Sequence, residues 1–408
     1  MTLNFYRLIA AQFFSSLADN ALLIVAMALL AYQGMPGWWA PLLKFFFTVS
    51  YVVLAPWIGP LADGMPKSRL MAWMNLSKII GLLALMSGFH PLAAFAVIGF
   101  GAAGYAPAKY GLITELVPAE KLVLANSWLE VSVVCSVLVG AILGGVLISP
   151  LFAPAADIIE DVLASLSLSV GEATPLRPAL MCVLALYLTA SVINIFIEGS
   201  GKVYGHQRLH VVVALRNFWF DNRQLWLDKE GGLSLAATTI FWGGGATVQF
   251  AVLKWASDQL GLPLSQAAYL QAAVAVGVVV GAAYAGRRVA LSQAKHMLWS
   301  GVGLGGLLVF ISQVTSIALA IPVLLLAGAM GGLLVVPLNA LLQHRGCALL
   351  SAGRSIAVQG YNENLSVLLM LGVYAGLLKL NLAISTVMVL YGVTIALAIL
   401  VLIRRAKR

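Results

Sequence analysis

A chain of 408 residues that is 61% hydrophobic and only 10% charged, with a mean hydropathy of +0.97, is not a soluble globular enzyme, for which about 25% charge is usual. Its formal charge of +9 would point to nucleic acid in a soluble protein. Here most of the excess falls in alternate loops, the pattern of basic loops kept on one side of a membrane.

A membrane-crossing helix takes about 20 apolar residues, so twelve consume about 240 and leave chain for short loops and one longer connector. In chain order, apolar runs bounded by Gly, Pro or charge predict spans at 5–33, 42–62, 70–89, 91–114, 124–149 and 176–199. A second set follows at 233–257, 266–286, 296–313, 316–343, 355–378 and 381–403. The first run carries Arg7 near its start and continues well past Asp19, too long for the apolar core of a signal peptide, so it reads as a retained helix. The loop from Ser149 to Pro175 is acidic (Asp157, Glu160, Asp161, Glu172), and its 158–170 stretch reads as a short surface helix. The expected plan is an all-α membrane protein with a six-helix bundle at 1–200, a basic linker at 201–232 and a second six-helix bundle at 233–408. Two similar halves of this kind resemble the arrangement of the major facilitator superfamily.

The cations set an orientation. Arg7, Lys67, Arg69, Lys121, the linker's Lys202, Arg208, Arg216, Arg223 and Lys229, then Arg287, Arg288, Lys295, Arg345, Arg354, Arg404, Arg405, Lys407 and Arg408 all fall on one side, 18 of the 24 Lys and Arg residues. Lys44, Arg177 and Lys379 fall on the other, and Lys78, Lys109 and Lys254 lie within spans. Both termini and the linker are therefore expected on the cytoplasmic side of the membrane.

Several features exclude other chemistry. Cys135, Cys182 and Cys347 have no paired spacing, so neither disulfides nor a metal site is read. His206 and His210 lie four apart in the linker but have no acidic or cysteine partner. Gly243-Gly244-Gly245 lacks the Lys-Ser/Thr of a phosphate-binding loop. No enzyme and no cofactor is expected. The 39 glycines gather inside helices, as at Gly99, Gly101 and Gly104 or Gly140, Gly144 and Gly145, where small residues let membrane helices approach closely.

Charges within spans cost roughly 2.5–3.5 kcal/mol each on insertion scales and so mark function. Asp19, beside Asn20, lies about 21 Å along the first helix, near the bilayer midplane. Lys109, beside Tyr110, lies in the fourth helix, and Glu363 in the eleventh between Asn362 and Asn364. Asp19 and Glu363 are read as substrate or gating groups, with a structural ion pair as the rival. Lys109 is read as a phosphate partner, with pairing to a carboxylate such as Glu115 as the rival. Lys78, Glu130 and Lys254 lie nearer span ends, where snorkelling makes them cheaper. Few charges of both signs among Gly, Ala, Leu and Val suit a zwitterionic or anionic head group with a long apolar tail.

The loop Gly59-Pro-Leu-Ala-Asp63-Gly-Met-Pro-Lys67-Ser-Arg69 resembles the Gly-x-Leu-Ala-Asp-x-x-x-x-basic signature of the major facilitator superfamily. In such a latch the glycine allows close helix approach, and the aspartate holds a helix end and the cations by charge-assisted hydrogen bonds that favour the outward-open state.

Longer strings resemble one family within it. They are Ser16-Leu-Ala-Asp19-Asn20-Ala-Leu-Leu, Ala106-Pro-Ala-Lys109-Tyr110-Gly111, Phe241-Trp-Gly-Gly-Gly, Val335-Val-Pro-Leu-Asn339-Ala-Leu-Leu-Gln343 and Val358-Gln359-Gly-Tyr-Asn-Glu363-Asn364. These are similar to the lysophospholipid transporter (LplT) family of Gram-negative inner membranes. The resemblance implies a flippase that moves lysophospholipids, chiefly lysophosphatidylethanolamine, to the cytoplasmic leaflet, where an acyl-carrier-protein-dependent acyltransferase re-acylates them. It places Asp19, Lys109 and Glu363 on positions similar to the family's functional charges; Asn20, Tyr110, Gln249, Asn339, Gln343 and Asn364 complete the expected substrate-binding or gating set, and a monomer is expected. At Gln249 the family pattern has an arginine, so a charge network through that position is altered here. The same fold would also suit a facilitator exporting a drug or other small amphiphile, or a silent scaffold recruiting an acyltransferase through the linker.

Overall fold

Each long apolar run becomes one continuous helix in the computed structural model, because backbone removed from water satisfies its N–H and C=O groups within the segment. The structure describes residues 2–35, 39–165, 176–201, 211–262 and 264–407. Glu172, Lys202, His206, Arg208, His210 and Arg408 lie outside the described residues. Among the described residues all regular structure is helical.

The helices are α1 (Leu3–Tyr32), α2 (Trp39–Gly64), α3 (Lys67–Met86), α4 (Pro91–Leu116), α5 (Leu122–Leu147), α6 (Ala153–Ser165) and α7 (Arg177–Ile195). They continue as α8 (Val211–Leu227), α9 (Lys229–Leu260), α10 (Leu264–Arg288), α11 (Leu298–Ile311), α12 (Ile317–Leu349), α13 (Ala352–Lys379) and α14 (Ile384–Lys407). Eleven helical segments among the described residues are long and apolar enough to cross a membrane. At 28 residues α13 coincides with the expected span 355–378 and is long enough, but Arg354, Asn362, Glu363 and Asn364 lower its hydropathy.

Two helices depart from the expected plan. The acidic loop holds α6, which starts at Ala153 instead of residue 158. The linker holds α8, which no long apolar run announces. The following span starts at Lys229 instead of 233, because Asp228 caps it by accepting from the N–H groups of Glu230 (3.1 Å) and Gly231 (2.7 Å).

Contacts divide the chain into two compact units. One comprises Met1–Leu116 and Cys135–His210, the other Val117–Val134 and Val211–Arg408, so α5 contributes to both. The first unit's core joins Leu22, Val25 and Leu29 of α1 to Leu82 of α3, Ile98 of α4 and Val183 and Tyr187 of α7. The second unit packs Val252 and Trp255 of α9 against Leu324 of α12 and Val387 and Met388 of α14. Its tightest crossing is α10 on α12. A Cβ at Gly277 or Gly281 would overlap the carbonyl oxygens of Leu325 and Ala329, and one at Gly328 or Gly332 those of Val274 and Val278. The two backbones therefore touch directly along both helices.

Candidate functional site

In the first unit, α1 presents a polar stripe in an otherwise apolar helix. Gln12, Ser15 and Asp19 are spaced three and four apart and so share one face. Asp19 accepts from Lys78 Nζ at 2.7 Å and from the Tyr187 hydroxyl at 2.7 Å. Lys78 also donates to Ser15 Oγ (2.9 Å), and Ser15 donates to Asn75 Oδ1 (3.0 Å). The Lys78 ammonium lies 5.5 Å from the Tyr105 ring centroid. Lys78 does not snorkel to a span end: its side chain is 3% exposed, and Asp19's is 16%. Removing one member of so desolvated a pair strands a charge, at about 3–5 kcal/mol.

Lys109 of α4 is also buried, donates to Gln12 Oε1 at 3.0 Å, and lies 4.5 Å from the Tyr110 ring centroid. It therefore reaches the same α1 stripe as Asp19. Glu115, considered as a partner for Lys109, is instead bound by Lys67 at 2.6 Å and accepts from Ser200. Asn20 turns its amide to its own helix at Ser16 O (2.7 Å).

The latch residues separate by burial. Gly59 and Asp63 are buried in the last turns of α2, Lys67 is buried at the start of α3, and Arg69 is exposed. Lys67 at a helix N-terminus and Glu115 at a helix C-terminus each oppose the local helix dipole, and their contact neutralises both.

The second unit holds two further clusters. Asn126 of α5 and Gln343 of α12 exchange side-chain hydrogen bonds, both at 2.9 Å and both buried. Gln359 donates to Asn339 Oδ1 (2.9 Å) and to Glu363 Oε1 (2.8 Å), linking two expected site residues through one that the sequence analysis did not assign to the site. Gln249 is exposed on α9, with its carbonyl accepting from Gln271, and Asn364 bonds locally to Gly360 O. Lys254 pairs with Asp258 one turn away at 2.9 Å.

At the end of this unit that carries the linker, Arg354 of α13 forms a bidentate pair with Asp221 of α8. Arg345 of α12 grips the capping carboxylate of Asp228 (2.6 and 3.2 Å), and Lys295 holds Glu230 (2.6 Å). The Arg345 guanidinium keeps Asp228 below the usual aspartate range, assisted by the Gly231 and Glu230 N–H groups and opposed by burial.

The α1 spacing made Gln12 and Ser15 findable from sequence. Asn75, Lys78 and Tyr187 carry no sequence signal linking them to Asp19, from which they are 56, 59 and 168 positions distant.

The Major Facilitator Superfamily profile matches residues 8–360. A protein of Enterobacter sp. (strain 638) named Lysophospholipid transporter LplT is 37% identical over 391 residues, covering 96% of this chain and 92% of that protein. One of the same name from Yersinia pestis (strain Pestoides F) is 38% identical over 374 residues, covering 91% and 86%. Among solved structures, a variant of the E. coli fucose:proton symporter FucP superposes with a TM-score of 0.75 at 13% identity, covering 99% of this chain and 98% of that one. The chain is a multi-pass membrane transporter that belongs to the major facilitator superfamily and, within it, to the lysophospholipid transporter LplT family.

Proposed function

We propose that this chain moves lysophospholipids, chiefly lysophosphatidylethanolamine, across a bacterial inner membrane by alternating access. It delivers them to the cytoplasmic leaflet, where an acyl-carrier-protein-dependent acyltransferase re-acylates them. In this reading the protein is a monomer with both termini and the α7–α9 linker in the cytoplasm. The observation that carries the reading is identity of 37–38% to proteins named Lysophospholipid transporter LplT over more than nine-tenths of the chain.

The chemistry of the first unit supports it. A zwitterionic head group brings one phosphate and one ammonium, and α1 gathers one carboxylate and two ammonium groups around a single stripe. The phosphate suits Lys109 or Lys78, and the ammonium suits Asp19, so a head group replaces the internal pairing charge for charge. Tyr110, Asn20, Gln249, Asn339, Gln343, Glu363 and Asn364 serve as further binding or gating groups. Gly59, Asp63, Lys67 and Arg69 form the conformational latch.

Proteoliposomes holding the purified protein test this. Uptake of head-group-labelled lysophosphatidylethanolamine is expected, with competition by unlabelled lysolipid and not by sugars or amphiphilic drugs. Equal displacement by drugs overturns the reading.

A further inference from the structure

Helix α8 turns two unlike faces outward and inward. Ala214, Phe218, Asp221 and Leu225 recur every three or four residues and are buried. This inner face is fastened to α13. Phe218 meets the Tyr361 ring edge-on at 5.1 Å, Asp221 pairs with Arg354, and Asn362 donates to Asn222 at 2.8 Å; two half-exposed tryptophans tie the margin of the helix to the same patch, Trp219 edge-on to Tyr361 at 5.8 Å and Trp226 donating to Asn362 Oδ1 at 3.1 Å.

The outer face has another character. Trp219, Phe220 and Leu227 are 53%, 66% and 73% exposed, and Val212, Leu215 and Trp226 are exposed beside them. At 100° per residue, Leu215, Trp226, Trp219 and Val212 make one apolar arc, and Leu227 and Phe220 make a second. Between the arcs stand Arg216 and Arg223, two turns or about 10.5 Å apart on the same line. Both are exposed, and among the described residues neither forms an ion pair or hydrogen bond.

Position fixes what this face meets. The helix ends at Leu227, and the span α9 begins at Lys229, so α8 is held at the bilayer surface. Exposed Trp, Phe and Leu around a cationic line are what a helix lying in the head-group layer presents. A cytoplasmic protein surface would leave six large apolar side chains in water until the partner arrived.

We propose that α8 is an interfacial helix whose Arg216–Arg223 line binds the phosphates of anionic phospholipids, while Phe220 and Leu227 enter the acyl-chain boundary. The leaflet is the cytoplasmic one in the orientation proposed above, and only that assignment rests on the earlier reading. Through Asp221–Arg354 and the Tyr361 stack, bound lipid braces the α13 segment that carries Gln359 and Glu363.

Lipid binding to the purified full-length protein in detergent, read by native mass spectrometry with phosphatidylglycerol and phosphatidylcholine as probes, tests this apart from transport. Each near-surface cation strengthens binding about fivefold, so Arg216→Gln with Arg223→Gln should weaken phosphatidylglycerol binding by roughly tenfold or more and leave phosphatidylcholine unchanged. Arg404→Gln with Arg405→Gln removes the same charge elsewhere and should change it less than about twofold. Phe220→Ala with Leu227→Ala should weaken both lipids. The paired lysine substitutions should restore binding, which separates lost charge from misfolding. Unchanged phosphatidylglycerol binding in the glutamine pair overturns the proposal and leaves the face to a protein partner. An equal loss in the Arg404/Arg405 control overturns it as well. Should the glutamine pair not fold, salt decides on the wild type: phosphatidylglycerol binding that is insensitive to ionic strength overturns it.

Discussion

The carboxamides of Asn126 and Gln343 meet head to tail, each nitrogen 2.9 Å from the other's oxygen, out of contact with water. Replacing either by Ala leaves a buried amide unsatisfied, a loss of about 1–3 kcal/mol that a thermal melt in detergent will show. Replacing both by Leu removes both polar groups and should recover most of the stability. If the pair opens and closes in each transport cycle, the double Leu variant will nevertheless transport poorly. Normal uptake in it would assign the pair to packing alone.

Asp19→Asn keeps size and loses charge, so uptake of lysolipid in spheroplasts should fall strongly. It also strands the Lys78 ammonium, at about 3–5 kcal/mol. Asp19→Asn with Lys78→Met removes that penalty and should regain thermal stability without regaining transport. Uptake near wild type in the double variant would reduce Asp19 to a structural partner.

Lys109 reaches Gln12, and Glu115 is already held by Lys67. Lys109→Arg should therefore keep partial transport, and Lys109→Ala should lose it for both ethanolamine and glycerol lysolipids. Adding Glu115→Gln to Lys109→Ala should restore nothing. Recovery of uptake in that pair would refute phosphate binding by Lys109.

At the latch, Asp63→Ala should shift the conformational equilibrium away from outward-open by about 1.5–3 kcal/mol, the worth of a charge-assisted hydrogen bond. Crosslinking of engineered cysteine pairs on the two membrane faces reports the populations. Identical crosslinking at both faces would leave the loop as a topology signal.

Asp228 gives a pH dependence of definite sign. Its folded carboxyl titrates below the usual value because Arg345 hydrogen-bonds the charged form. Its contribution is whole above the ordinary aspartate value of about 3.9 and disappears as pH falls through the lowered one. The melting-temperature gap between wild type and Asp228→Asn should stay constant from neutral pH to about 4 and close below it. A gap already closing near pH 6 would assign the effect to another group.

All twelve expected spans coincide with helices within several residues, because a run of 20 apolar residues has one use. Helix α8 escaped that reading for the same reason: its apolar residues are interleaved with Arg216, Asp221 and Arg223, so no window is apolar throughout. Buried charges were legible one at a time but not in pairs. Lys109 and Glu115 are six residues apart, about 240° around a helix, and so point away from each other, leaving Glu115 to Lys67 of another helix. Lys78 and Tyr187 meet Asp19 through tertiary packing, which spacing along the chain does not encode.

The reciprocal glycines of α10 and α12 limit how the second unit can deform. With backbone against backbone on both sides, a shift of one helix along the other drives carbonyl oxygens into Cα atoms, so the two must travel as one plate. Helix α13 is made differently: among the described residues a Cβ at Gly360, Gly372 or Gly376 would meet nothing within 4 Å. Each of these glycines lowers helix stability by about 1 kcal/mol relative to alanine without a packing reason for its small size. Gly245 of α9 and Gly306 of α11 are as loosely surrounded, but α13, the helix that carries Glu363 and holds α8, has three such positions and is the most compliant of the three.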